Sequence, residues 1–423
     1  MAETIAALLF GAGYLAITLE HRLFLNKAAL SLVLAAVLWL VVGLALPITN
    51  IQHALTEAGS DIFGLVIFLL TAMTLVEVLI HYHFFDVIES TLRRRGWTLY
   101  RLGWALAGIT FVFSAFLDNL TTTIVGIQIA RRLFPAHHLP VIGALVIISA
   151  NAGGAFSPIG DVTTLMLWFA QKFTAGEVIT QGFLPSAALA AVAGLLLLRH
   201  IPRTTCPEAA TNGHHHPSRS DRAIMVATIG AFLLPLAATL VGLPPYLGLI
   251  AGLGLVWLLI DVAKQARPQE THLEARIKKF FQQTDLESIQ FFVGILLAVA
   301  ALHALGLLDL ATNQLLGATP GFARQVATFA GLGVGSAIVD NVPLTAAAIS
   351  ALDGISSTLW VLLALTVGTG GSLLVIGSAA GVIAQGMVPE LTFGRYLKIG
   401  TLPAAAGFAA ALVVWLTQFL LIR

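Results

Sequence analysis

The chain has 423 residues, 58% of them hydrophobic and only 10% charged, with a formal net charge of +1. Soluble domains carry about a quarter charged residues, so this composition excludes an ordinary soluble protein and points to a bilayer as the main solvent. The near-neutral charge argues against a nucleic-acid partner, and the single cysteine, Cys206, excludes an intrachain disulfide framework.

The N-terminus, MAETIAALLF, has Glu3 and no Lys or Arg before its apolar run, so it reads as a first span rather than a signal peptide. Further apolar runs long enough to cross follow near 28–46, 61–82, 183–200, 222–241, 245–262, 285–307 and 400–421. Four more regions, at about 99–133, 140–172, 321–352 and 357–388, are apolar but interrupted by polar or glycine clusters. All should be helical, because hydrocarbon tolerates only helices or closed barrels and no ten-residue alternation suggests a barrel.

We read 99–133 and 321–352 as re-entrant hairpins, and 140–172 and 357–388 as broken helices that cross. With the N-terminus outside, this topology places nineteen of the 22 Lys and Arg on the inner face and three on the outer. Both termini are then expected outside, with the basic loops cytoplasmic. The segment 84–97, FFDVIESTLRRRGW, is too polar to cross and is expected to lie on the inner surface as an amphipathic helix. The stretch 201–221, with TNGHHHPSRS, reads as a solvated linker whose histidines could also bind metal or sense pH.

The chain repeats itself. DNLTTTI at 118–124 parallels DNVPLTAAAI at 340–349, and NAGGAFSPIGD at 151–161 parallels GTGGSLLVIGS at 368–378. TAGEVITQGFLP at 174–185 parallels TFGRYLKIGTLP at 392–403, and SDIFGLVIFLLTAMTLVE at 60–77 more weakly parallels LESIQFFVGILLAVAALH at 286–303. The expected fold is therefore an all-α polytopic membrane protein of two inverted-topology repeats, each with five spans, one of them a broken helix, plus a re-entrant hairpin. The first repeat covers 1–200, an inner-face linker covers 201–221, and the second repeat covers 222–423. An odd number of crossings inverts the second copy, an arrangement characteristic of secondary transporters.

The hairpin tips should then meet beside the two breaks. Asp118, Asn119, Thr122 and Thr123 belong to the first tip, and Asp340, Asn341 and Thr345 to the second. Asn151, Ser157, Asp161, Thr163 and Thr164 should line the first break, and Thr369, Ser372 and Ser378 the second. Three carboxylates at membrane depth cost about 8–10 kcal/mol together on insertion scales, at about 2.5–3.5 each. No Lys or Arg falls in either tip or either break to offset that cost. The compensating charge must therefore be mobile.

Carboxylate, amide, hydroxyl and carbonyl oxygens suit a hard cation, so Asp118, Asp161 and Asp340 are candidate sodium ligands. Burial favours a protonated carboxyl and a bound cation favours the ionised one, so sodium and protons should exclude each other. Alternating access would convert that exclusion into antiport. Asp161 aligns with Ser378 and so belongs to one half only, which makes it the residue most specific to exchange. An Asp-Asn pair opening a half-helix is also a good N-cap, and the two roles can coexist. Glu77 and His303 align with each other in continuous spans; snorkelling or a helix–helix hydrogen bond competes with a coupling or pH-sensing role.

The stretches FLDNLTTTIV, SANAGGAFSPIGDVTTLMLW, DNVPLTAAAI and LEHRLFLNKAAL closely resemble the NhaD-type sodium/proton antiporters of the ion transporter superfamily. The likeness runs from about residue 15 to the C-terminus. It implies exchange of sodium or lithium for protons, with no cofactor and no enzymatic activity. It also implies that Asp118, Asn119, Asn151, Asp161, Thr163, Thr164, Asp340, Asn341 and Ser378 are the functional positions. A bacterial plasma membrane is the simplest setting. The superfamily further implies a homodimer, with 28–82 and 245–307 as scaffold and the hairpins and broken helices as a moving unit. Relatives in the same superfamily carry dicarboxylates, so sodium-coupled symport of a small anion is the competing reading, although those carriers have neutral tip motifs where this chain has Asp-Asn and an anion would meet repulsion.

Overall fold

The computed structural model describes residues 2–18, 23, 25–205, 217–266, 270–308, 321–352 and 354–422. Glu20, His21, Arg22, most of the histidine-rich linker, Arg267 and Arg423 lie outside the described residues. Among those described, the regular elements are helices, joined by one isolated bridge between Thr98 and Thr205. Eight helices among them are long and apolar enough to cross a membrane, which makes this an all-α polytopic membrane protein.

The first half runs α1 (Ala2–Thr18), α2 (Lys27–Ala45), α3 (Ile48–His81), α4 (Phe84–Arg94), α5 (Leu99–Ser114), α6 (Asn119–Leu133), α7 (Leu139–Ala155), α8 (Val162–Phe169) and α9 (Ala175–Leu198). The second runs α10 (Arg219–Ala231), α11 (Leu234–Leu240), α12 (Pro245–Ala266), α13 (Glu270–Glu274), α14 (Ile277–Gln283) and α15 (Leu286–Ala304). It continues with α16 (Phe322–Gly335), α17 (Asn341–Ala351), α18 (Ser357–Gly370), α19 (Ala379–Met387), α20 (Phe393–Ile399) and α21 (Thr401–Ile422).

Local chemistry fixes many of these boundaries. Asn26 starts α2 by accepting from the amides of Ala28 and Ala29 at 2.8 and 3.2 Å. Thr174 with Glu177 opens α9, and Ser218 with Asp221 opens α10, each as a reciprocal capping box. Two boundaries depart from expectation. The helix expected over 61–82 begins at Ile48, because its first turns are helical without being apolar. The span expected over 222–241 is present as Arg219–Leu240 but is interrupted at Phe232–Leu233 into α10 and α11, with Pro235 in the first turn of the second, where its missing N–H costs least.

Helix α4 is amphipathic and ties down the first hairpin. Arg93 donates to the carbonyl of Arg132 at 2.8 Å, and Arg132 reaches Asp86 at 3.0 Å and Glu89 at 2.7 Å. Leu99, at the start of α5, donates to the carbonyl of Thr204 just beyond α9 at 2.9 Å. Both open ends of α5–α6 therefore lie at the C-terminal end of α9. At the other end of α9, Glu177 accepts from Ser357 at 2.6 Å, and Gln181 shares a cavity with Phe322, Gln325 and Thr358. The hairpin α16–α17 thus opens at the N-terminal end of the same helix. Helix α21 runs antiparallel along α9, with Gly407 against Leu189 and Gln418 near Gln181.

Each hairpin packs its first helix against a broken one through backbone contact. A Cβ on Gly153 of α7 would overlap the carbonyl oxygen of Phe111 in α5, and one on Gly370 of α18 would overlap that of Gly333 in α16. Ser114 donates to the carbonyl of Ala150 at 2.6 Å, and Ser336 to that of Val367 at 2.9 Å. We expect Gly153→Ala to force α5 and α7 apart at a cost of about 1–3 kcal/mol. Gly43→Ala, with nothing within 4 Å, should be neutral or stabilising. Unfolding temperatures of the two purified variants in detergent check this contrast.

Candidate functional site

The two hairpin tips and the two breaks converge. Helices α6, α8, α17 and α19 each contribute an N-terminal residue to one small cavity of about 40 Å³: Asn119, Val162, Asn341 and Ala379. Asp118, Asp161 and Asp340 complete its polar wall, and Leu69 and Met73 of α3 with Ser288 and Phe292 of α15 close it. That volume holds a few waters or a partly hydrated alkali cation. Among the described residues, no Lys or Arg lines it.

Asp161 is the hub. It is 3% exposed, and its carboxylate makes no cap hydrogen bond to α8 although it occupies the N-cap position. One oxygen accepts from Asn119 at 3.3 Å, a side chain delivered by the first hairpin tip. The other faces Asn341 at 3.5 Å, delivered by the second tip, and takes the hydroxyl of Thr163. Ser378, at the matching point of the second half, does spend its side chain on capping, accepting from the amide of Gly381 at 3.2 Å. The aspartate is therefore free of the duty that its counterpart performs.

Asn151 forms a second node. It is 1% exposed, accepts from Asn119 at 3.0 Å, and donates to Ser372 at 2.8 Å and Ser378 at 3.2 Å. Its counterpart in the second half is Gly368, where a Cβ would sit 3.1 Å from the Asp161 carboxylate. The asymmetry is thus paired. Asparagine reaches across in one half, and glycine leaves room for the carboxylate in the other.

The half-buried Asp118 and Asp340 do cap their helices. Asp118 accepts from the amide of Thr121 at 2.8 Å and from its hydroxyl at 2.6 Å. Asp340 accepts from the amide of Val342 at 3.0 Å, and its own amide donates to the hydroxyl of Tyr14 at 2.8 Å. The N-terminal ends of α6 and α17 add partial positive charge that favours ionised carboxyls.

Other expected positions hold the frame rather than the cavity. Ser157 donates to the carbonyl of Ala115 at 2.5 Å and so ties the first break to the first tip. Thr164 bonds the carbonyl of Asp161 at 3.0 Å, Thr345 that of Asn341 at 2.9 Å, and Thr369 that of Leu365 at 2.6 Å. Thr122 and Thr123 are buried, and their hydroxyls have no partner among the described residues. Glu77 and His303 do not reach the cluster. Glu77 lines a separate cavity of about 380 Å³ with His81, His83, Glu274 and Lys279, and His303 is exposed.

Over residues 14–368 the chain matches the family described as "Citrate transporter". It is 36% identical over 421 residues to "Sodium/proton antiporter 2" of Arabidopsis thaliana, covering 97% of this chain and 98% of that protein. It is 30% identical over 449 residues to "Na(+)/H(+) antiporter NhaD" of Halomonas elongata, covering 97% and 88%. The chain belongs to the NhaD-type branch of the ion transporter superfamily.

This NhaD-type chain is a membrane transporter, not an enzyme. Several residues that shape its site carry no chemical signal in the sequence. Tyr14 pins the second tip from α1, and Tyr396 holds the second break through the carbonyl of Ser372 at 2.5 Å. Val375, in that break, sits at φ 62, a left-handed conformation that costs a β-branched residue about 1–3 kcal/mol. Gly368 was detectable, since it aligns with Asn151 in the repeat.

Proposed function

We propose that the protein exchanges sodium or lithium for protons by alternating access, with Asp161 as the group the two ions share. The observation that carries this reading is the buried Asp161 carboxylate, released from capping and met by an asparagine from each hairpin tip. Amide and hydroxyl groups steer its oxygens without supplying a fixed charge. A cation or a proton can supply it, and each displaces the other. Asp118 and Asp340 would complete an oxygen-rich ligand set for the transported sodium, together with tip and break carbonyls.

The hairpins opening at opposite ends of α9, and the matching straps of Ser114 and Ser336, support two inverted repeats, 1–200 and 222–423, joined by 201–221. In that topology both termini lie outside and the basic loops inside, in a bacterial plasma membrane. The superfamily likeness adds a homodimer, which sedimentation in detergent would test.

The family description names citrate, and four half-helix N-termini facing one cavity would suit an organic anion. Here three of the four carry the chain's own carboxylates, Asp118, Asp161 and Asp340. A substrate anion would meet repulsion, so the same scaffold is turned toward cations.

The test is proton release from purified protein on adding sodium across a pH series, in a weakly buffered solution with a pH dye. A site that holds a proton until sodium arrives releases protons at low pH. Release fades as pH rises past the point where the sodium-free carboxyl has already ionised. Sodium binding without proton release at any pH would defeat the exchange scheme. Uptake requiring citrate would favour symport instead.

A further inference from the structure

A second cavity, of about 110 Å³, lies between α3, α8, α15 and α17, the same four helices that help wall the site. Its lining is offset from that of the site by one turn on every one of them. Leu65 precedes Leu69 on α3, Met166 follows Val162 on α8, Leu296 follows Phe292 on α15, and Ala346 follows Val342 on α17. Four residues of helix rise about 6 Å, so the two spaces are stacked with one apolar layer between them.

The lining includes Asp61, exposed on α3 and so at the mouth, and the half-buried Ser350 of α17. Among the described residues, the rest of the lining is apolar, without Lys or Arg. Glu57, exposed one turn earlier on α3, adds negative potential at the same mouth. A low-dielectric cleft with acids at its opening concentrates small cations and repels anions.

We propose that this cavity is the outer passage to the transport site, and that Asp61 is the ligand that first captures a monovalent cation there. The inference rests on the cation-exchange reading above and extends it to the route. Opening requires only that the layer of Leu65, Leu69, Met166 and Val342 part. Helices α8 and α17 carry Asp161 and Asn341 at their N-terminal ends, so sliding them past α3 and α15 would join the two spaces.

Two measurements test it. In proteoliposomes, Asp61→Asn should raise the apparent KM for sodium at the face where α3 begins by about threefold or more. The rate at saturating sodium should stay within about twofold, and the KM at the opposite face should not change. An unchanged KM at both faces, or an equal rise at both, overturns the proposal. The second measurement is independent of exchange. In a Cys206→Ser background, Ser350→Cys should react faster with a cationic than with an anionic methanethiosulfonate of similar size. Asp61→Asn, or high salt if that variant does not accumulate, should return the ratio to that of a free thiol. A ratio insensitive to both, or a thiol unreachable from either face, overturns the passage. Wild-type protein that fails to exchange sodium for protons would defeat the functional reading alone and leave the labelling result standing.

Discussion

Asp161→Asn should abolish sodium-dependent proton flux while leaving the protein folded. The expected loss in vesicles is at least about a hundredfold. Removing one partner of a buried charge pair costs about 3–5 kcal/mol, and each 1.36 kcal/mol is a factor of ten. The fold should survive for three structural reasons. The side chain does not cap α8. Asparagine has nearly the same volume, and its oxygen can still accept from Asn119. Its amide can no longer take up or release a proton, and it offers a cation a dipole in place of a charge. Equal unfolding temperatures with no flux would place the carboxylate in the transport cycle. Flux within twofold of wild type would remove it from the cycle.

The parts of this arrangement differed in how far sequence revealed them. The tips and breaks were legible because Asp-Asn and Gly-Gly clusters are expensive inside apolar runs. The break between Ala155 and Val162 and that between Gly370 and Ala379 fall where the repeated motifs lie. Capping by Asp118 and Asp340 followed from the same pattern and coexists with their place on the cavity wall. Helix ends were less legible. Apolarity marks the part of α3 that sits in hydrocarbon and says nothing of the helical turns before it, from Ile48 to Ser60. Pro235 was visible in the sequence, yet a run of apolar residues around it masked the division into α10 and α11.

The contacts that make the cluster a site were not legible. Asn119 meeting Asn151 and Asp161 depends on the angle at which the hairpin docks, and no local pattern encodes that angle. Tyr14 lies hundreds of residues from Asp340 within an apolar stretch of its helix, and nothing around it marks it as a partner. The hydroxyls divide for a physical reason. Thr345 and Thr369 sit in helix interiors, where a threonine readily satisfies itself on a preceding carbonyl, so they contribute less to the cavity than their positions suggested. Ser372 and Ser378 sit in the non-helical break, where Asn151 can reach them.

Asp118 and Asp340 allow charge and capping to be separated. Asp118→Asn retains a side-chain oxygen for the Thr121 amide, since asparagine is as good an N-cap as aspartate, whereas Asp118→Ala loses it at about 1 kcal/mol. If the carboxylate serves only the helix, the asparagine variant should transport like wild type and the alanine variant should be the weaker protein. If it serves the cation, both variants should lose sodium affinity alike. The expected result is the second, a rise in apparent KM for sodium and lithium of about tenfold, the factor equivalent to 1.4 kcal/mol. Only the alanine variant should also unfold at a lower temperature. The same pair at Asp340 should behave in parallel, because its cap to Val342 is likewise open to asparagine. Affinity lost at one tip and kept at the other would mean that the two half-helices do not share the ion equally. The sodium would then lie between Asp161 and whichever tip shows the loss.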